Sequence, residues 1–111
     1  IVANSEKMAL RHVLNYPNPF TNSTDFQFEH NYPNEPLEVN VQVFTIGGRL
    51  VKTLLQTFVS ADSRVQNAIT WDGLDDFGQR IGKGVYLYKL SVRAVNNGKQ
   101  DQKLEKLVIL K

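Results

Sequence analysis

The sequence predicts an all-β fold, a sandwich of about seven short antiparallel strands. Two observations carry this reading. Apolar and polar residues alternate along much of the chain, as in Phe26-Gln27-Phe28 and Leu37-Glu38-Val39-Asn40-Val41-Gln42-Val43; a period of two turns one face of a strand to a core and the other to water. Turn residues interrupt these runs at short intervals, and no stretch keeps the 3.6-residue period of a ten-residue helix.

Taken in chain order, Tyr16-Pro17-Asn18-Pro19-Phe20 comes first. The two prolines fix φ, remove two backbone donors and bias Tyr16 and Asn18 toward extended conformations, so this stretch cannot be an ordinary central strand. It reads as a stiff lead-in, with Tyr16 and Phe20 expected as a plug over one end of the sandwich. Phe26 and Phe28 alternate with Asp25, Gln27 and Glu29 as a strand, and Leu37 to Val43 as the next. Gly47-Gly48 between apolar runs predicts a type I′ hairpin turn, returning as the strand Leu50 to Leu55.

Val65 to Trp71 reads as a further strand. The glycines of 72–84 (Gly73, Gly78, Gly82 and Gly84) predict a long structured loop there. Val85 to Val95 sets Tyr86, Tyr88, Leu90, Val92 and Ala94 on one face, and Asn96-Asn97-Gly98 signals a hairpin. Gln102 to Leu110 closes the chain, and its Leu107-Val108-Ile109-Leu110 run suggests a strand covered on both sides. Seven such segments with regular turn signals suggest a sandwich of immunoglobulin-like kind.

Composition narrows the function. At 111 residues the chain is expected to be one domain, burying roughly 65% of the surface its unfolded form exposes. The net charge is +2 and the lysines and arginines are spread along the chain, which argues against nucleic acid as a partner. Cysteine is absent, removing disulfides, a thiol nucleophile and thiolate metal ligands. No apolar stretch reaches the ~18 residues of a membrane span, and the N-terminus carries no signal-peptide pattern. If the domain works outside the cytoplasm, its export address is expected elsewhere in a longer chain.

Nothing in the sequence assembles a catalytic site, so no enzyme activity and no cofactor are expected. The histidines, His12 and His30, read as surface or loop residues and have no Ser and Asp motif around them. Asp72, Asp75 and Asp76 are a weak calcium candidate; loop carboxylates that bond their own backbone are the plainer reading. Trp71 and Tyr86 read as core aromatics rather than ligand platforms.

Several motifs in order form a signature: Asn15-Tyr-Pro-Asn-Pro-Phe20 with Thr24, the hairpin Val43 to Val51 with Gly47 and Gly48, Trp71-Asp72-Gly73 with Asp75 and Gly78, Gly84-Val85-Tyr86, and the closing Lys106-Leu107-Val108-Ile109-Leu110-Lys111. Together they resemble the C-terminal sorting domains of type IX secretion cargo and the related immunoglobulin-like module of flagellar hook-capping proteins. Within that group the sequence looks most like the C-terminal domain of the sortase itself, which is retained and docks on an outer-membrane barrel partner.

The resemblance implies a non-catalytic domain at the end of an exported Gram-negative protein, read by the outer-membrane translocon or barrel shuttle. Residues 1–13 would be linker and lead-in, and 14–111 the domain attached to N-terminal cargo or an enzyme. Lys103, Lys106, Leu107, Val108, Ile109, Leu110 and Lys111 would lie in the recognised strand; Pro17, Asn18, Pro19, Phe20, Gly47, Gly48, Trp71, Asp72, Gly73, Gly84 and Tyr86 would be the structural motif residues. The alternatives are a structural spacer and a carbohydrate- or calcium-binding module of a secreted enzyme. Exposed sheet edges permit pairing between copies, so the sequence assigns no oligomeric state.

Overall fold

A computed structural model describes residues 6–110. It contains seven strands: β1 (Leu10–Tyr16), β2 (Thr24–His30), β3 (Pro36–Phe44), β4 (Leu50–Val59), β5 (Arg64–Trp71), β6 (Gly84–Ala94) and β7 (Gln100–Ile109). They form a three-stranded sheet ordered β1-β2-β5 and a four-stranded sheet ordered β4-β3-β6-β7, with every strand pairing antiparallel. This is an all-β sandwich whose strand order is immunoglobulin-like, the fourth strand lying beside the third.

The alternation read from the sequence builds the core between the sheets. β3 turns Leu37, Val39, Val41 and Val43 inward, and β6 turns Tyr88, Leu90, Val92 and Ala94 inward, all fully buried. β2 supplies Phe26 and Phe28 from the other sheet. The Phe26 and Tyr88 rings meet edge to face at 4.9 Å, an arrangement that adds to area burial by matching ring edge to ring face. Burial raises the Tyr88 hydroxyl pKa, with Glu105 nearby adding to it.

The structure corrects five expectations. The first strand begins at Leu10, inside the stretch 1–13 read as linker, and Met8 and Leu10 belong to the core. The Gly47-Gly48 turn is not type I′, because only Gly48 takes positive φ (97°). Gly48 N–H donates to Thr45 O at 2.9 Å and Thr45 N–H to Arg49 O at 2.9 Å, giving a three-residue loop, Ile46-Gly47-Gly48, with its left-handed residue last.

β7 is an edge strand rather than a strand covered on both sides, leaving Leu104 and Leu110 exposed. Tyr16 is 68% exposed and takes no part in a plug, whereas Phe20 is 2% exposed. His30, expected at the surface, is buried, and its ring Nδ1 accepts the Tyr32 N–H at 3.0 Å.

Candidate functional site

Asn15 to Phe20, Thr24, Trp71 and Gly73, scattered in the sequence, gather at the outer edge of β7. An edge strand presents a row of unpaired N–H and C=O groups, and here residues 15–20 cover much of it. Asn18 Oδ1 accepts the Val108 N–H at 3.0 Å, and Asn18 Nδ2 donates to Lys106 O at 3.2 Å. Phe20 N–H donates to Val108 O at 3.0 Å, and Leu110 N–H donates to Phe20 O at 2.9 Å, so Phe20 pairs in parallel with Ile109. The prolines suit this place: an edge-capping segment needs few donors of its own. The Tyr16–Pro17 and Asn18–Pro19 peptide bonds are both cis.

A polar network holds the segment from behind. Asn15, buried at the end of β1, donates from Nδ2 to Thr24 Oγ1 at 3.1 Å; Thr24 Oγ1 donates to Pro17 O at 2.8 Å; Asn18 Nδ2 also donates to Asn15 Oδ1 at 3.1 Å. Buried amides and hydroxyls of this kind are costly unless paired. The Phe20 ring lies 5.7 Å from the Trp71 ring, and Trp71 is itself buried, its Nε1–H donating to Leu74 O at 2.9 Å. Gly73, at φ 81°, turns the chain so closely over Phe20 that a Cβ there would stand 3.5 Å from the ring.

Leu107 and Ile109 of the terminal strand are core residues, whereas Lys103, Lys106 and Leu110 are exposed and Val108 is half-buried. Lys111 lies outside the described residues. Further toward the start of β7, Asp101 Oδ2 accepts the Leu10 N–H at 2.9 Å, tying the strand to β1.

The 72–84 loop covers the opposite edge of the same sheet. Asp76 N–H donates to Val51 O at 3.1 Å, Asp76 Oδ1 accepts the Thr53 N–H at 3.2 Å, and Lys52 stands 3.7 Å from that carboxylate. Asp75 Oδ1 accepts the N–H groups of Phe77 and Gln79, and Asp72 Oδ1 accepts that of Leu74. The three carboxylates thus turn toward backbone donors, and among the described residues no cluster of three or more His, Asp or Glu side chains is arranged to hold a metal. Tyr86 is partly buried and its hydroxyl donates to Gly82 O at 2.7 Å, closing the end of the loop.

The histidines serve separate places. His12, at φ 52° in a bulge of β1, contacts Glu29 on the outer face of the three-stranded sheet, and Arg64 lies 3.5 Å from the same carboxylate. The hydrogen bond from His12 foremost, with the Arg64 guanidinium beside it, holds the Glu29 carboxyl below its ordinary pKa. His30 is enclosed at the other side of β2, and burial lowers its pKa, offset in part by the Asp62 backbone.

No family profile matches the sequence, and no curated protein matches it. Among solved structures, the chain is similar to dimeric latent PorU from Porphyromonas gingivalis, with a TM-score of 0.79 and 29% sequence identity over 99% of this chain. The chain spans 10% of the length of that one. Similarity at this identity over nearly every residue, the latched terminal strand included, supports a domain related to PorU.

Proposed function

We propose that the chain is a non-catalytic C-terminal domain that directs an exported protein through the type IX secretion system and docks it at the outer membrane, of the kind retained on the sortase. The observation that carries this reading is the similarity to PorU along 99% of the chain, joined to the sequence signature of type IX sorting domains. Of that signature, Asn15, Pro17, Asn18, Phe20 and Thr24 build or brace the edge of the last strand, with Trp71 and Gly73 packed on Phe20. The exposed side of that strand, with Lys103 and Lys106, and Leu110 just after it, is the surface offered to the translocon or its barrel shuttle.

The test is a periplasmic reporter carrying residues 1–111 at its C-terminus, expressed in a type IX-competent host and in a translocon-deficient strain. Reporter at the surface of the competent host alone supports a sorting and docking domain, and its mass distinguishes a retained domain from a cleaved one. Reporter held in the periplasm of both strains discards the proposal in favour of a structural spacer.

A further inference from the structure

The edge strands of the sandwich are unequally protected. β1 and β5 lose register against β2, between Arg11 and Leu14 in the one and between Val65 and Ile69 in the other, and the edge of β7 is latched by Asn18 and Phe20. β4 pairs with β3 alone, and its register is unbroken from Thr53 to Val59. The 72–84 loop covers only the start of it, through Val51 O and Thr53 N–H. In an antiparallel strand the N–H and C=O of one residue point to one side and those of the next residue to the other. Thr53 turns its N–H away from β3 to Asp76, so Leu55, Thr57 and Val59 turn theirs outward as well, and among the described residues no backbone group meets them.

This bare stretch also lacks the usual protections. Thr53-Leu54-Leu55-Gln56-Thr57-Phe58-Val59 contains no charge, no proline and no glycine, whereas lysines, prolines, bulges and inward charges are what keep sheet edges from pairing. An uncharged, β-favouring run of this length is competent to pair with another strand. The order of its outward residues selects which one. Leu55, Thr57 and Val59 read aliphatic, hydroxyl, aliphatic in either direction, and Leu55 and Val59 are 61% and 62% exposed. A second copy turned about a two-fold axis at Thr57 therefore sets Thr57 against Thr57, and Leu55 of each copy against Val59 of the other. Aliphatic and threonine pairs of this kind are favourable, and no like charges come opposite each other. Every outward N–H and C=O of the three residues is taken up in the same step.

We propose that β4 is a self-association edge, along which two copies of the chain pair antiparallel from Leu55 to Val59 and join their four-stranded sheets into one. The interface is isologous and closes at two copies. The far edges of the joined sheet are the two β7 strands, latched from Lys106 to Leu110 by Asn18 and Phe20. The seam is short beside the roughly 1,200–2,000 Å² of a stable interface, so the dimer is weak and depends on concentration. The pairing is independent of the secretion role: it uses β4, and the recognition surface proposed above lies on β7, at the other edge of the same sheet.

The test is sedimentation equilibrium of the 111-residue chain over a rising concentration series, with amide exchange at both ends of the series. The expected mass climbs toward that of two chains. Exchange at Leu55, Thr57 and Val59 slows with it, while Thr53, already bonded to Asp76, stays as it was. Thr57→Lys sets two ammonium groups against each other on the axis and should weaken association by about tenfold or more. Leu55→Lys/Val59→Lys should do the same, whereas Leu55→Lys/Val59→Glu sets opposite charges together in this register and should still associate. The three side chains are exposed, so unchanged thermal unfolding confirms that the variants are folded. A mass that stays monomeric up to about 1 mM overturns the proposal, whatever other strand takes the edge. So does association that leaves the Leu55, Thr57 and Val59 amides unprotected, or that the double-lysine variant retains in full.

Discussion

The side chain of Asn18 stands in for a neighbouring strand along Val108: Oδ1 accepts the Val108 N–H at 3.0 Å, as a backbone carbonyl would, and Nδ2 donates to Lys106 O at 3.2 Å. Replacing it by alanine removes both bonds and the link to Asn15 at once. The expected cost is about 1 kcal/mol, since the bonds to Val108 and Lys106 are at the surface and only the link to Asn15 is partly buried. Asn18→Asp keeps the acceptor for Val108 but loses the donor, so Lys106 O and Asn15 Oδ1 each lose a partner. Urea unfolding gives the stability, and amide exchange at Val108 locates the effect. Val108 protection unaltered in Asn18→Ala would show that the bond does not form in solution.

Phe20 and Tyr16, four residues apart and both aromatic, are predicted to behave oppositely. Phe20 is enclosed by Trp71 and Gly73, so Phe20→Ala leaves a cavity and should cost about 3–5 kcal/mol. Tyr16 is largely exposed and Tyr16→Ala should stay within about 0.5 kcal/mol. Trp71 emission separates the cases in the folded protein: loss of the Phe20 ring admits water and shifts it to the red, and loss of Tyr16 leaves it in place. Equal costs for the two substitutions would contradict the packing.

Much of this fold was legible because strands β2, β3 and β6 keep one phase from end to end. β1 was not, and its bulge is the reason. Met8 and Leu10 face the core, but the register shift between Arg11 and Leu14 moves the inward phase to Val13 and Asn15, so no single alternation spans the strand. The run Leu107 to Leu110 misled for a different reason: an edge strand with an apolar outer face has the composition of a strand covered on both sides. The motif Asn15 to Phe20 could be recognised from its residues, yet its task rests on bonds to positions 88 and 90 residues away from Asn18, which no local pattern encodes.

The hairpin after β3 offers a test between two adjacent glycines. A type I′ turn would need positive φ at both, whereas here Gly48 alone has it, at 97°, and a Cβ on Gly47 meets nothing closer than Thr45 Oγ1 at 3.9 Å. Gly48→Ala should therefore cost about 1–2 kcal/mol from left-handed strain. Gly47→Ala should be neutral or slightly stabilising, because it reduces the freedom of the unfolded chain. Thermal unfolding of the two variants decides the matter, and comparable losses in both would favour the type I′ geometry.

His30 makes stability depend on pH in a definite direction. Burial lowers its folded pKa below the ordinary 6.5, and its Nδ1 accepts the Tyr32 N–H only while unprotonated. Between the two pKa values the unfolded chain binds more protons than the folded one, so stability rises with pH across that window. The contribution is complete above 6.5 and is lost as pH falls through the folded pKa. Glu29, held below its ordinary 4.5 chiefly by His12, loses its own contribution only in more acidic solution. Subtracting the urea stability of His30→Gln from that of the parent at each pH isolates the histidine. The difference should favour the parent increasingly as pH rises from about 5 to about 7. A difference that stays flat over that range would mean that His30 titrates alike in the folded and unfolded chains, contrary to its enclosure beside Tyr32.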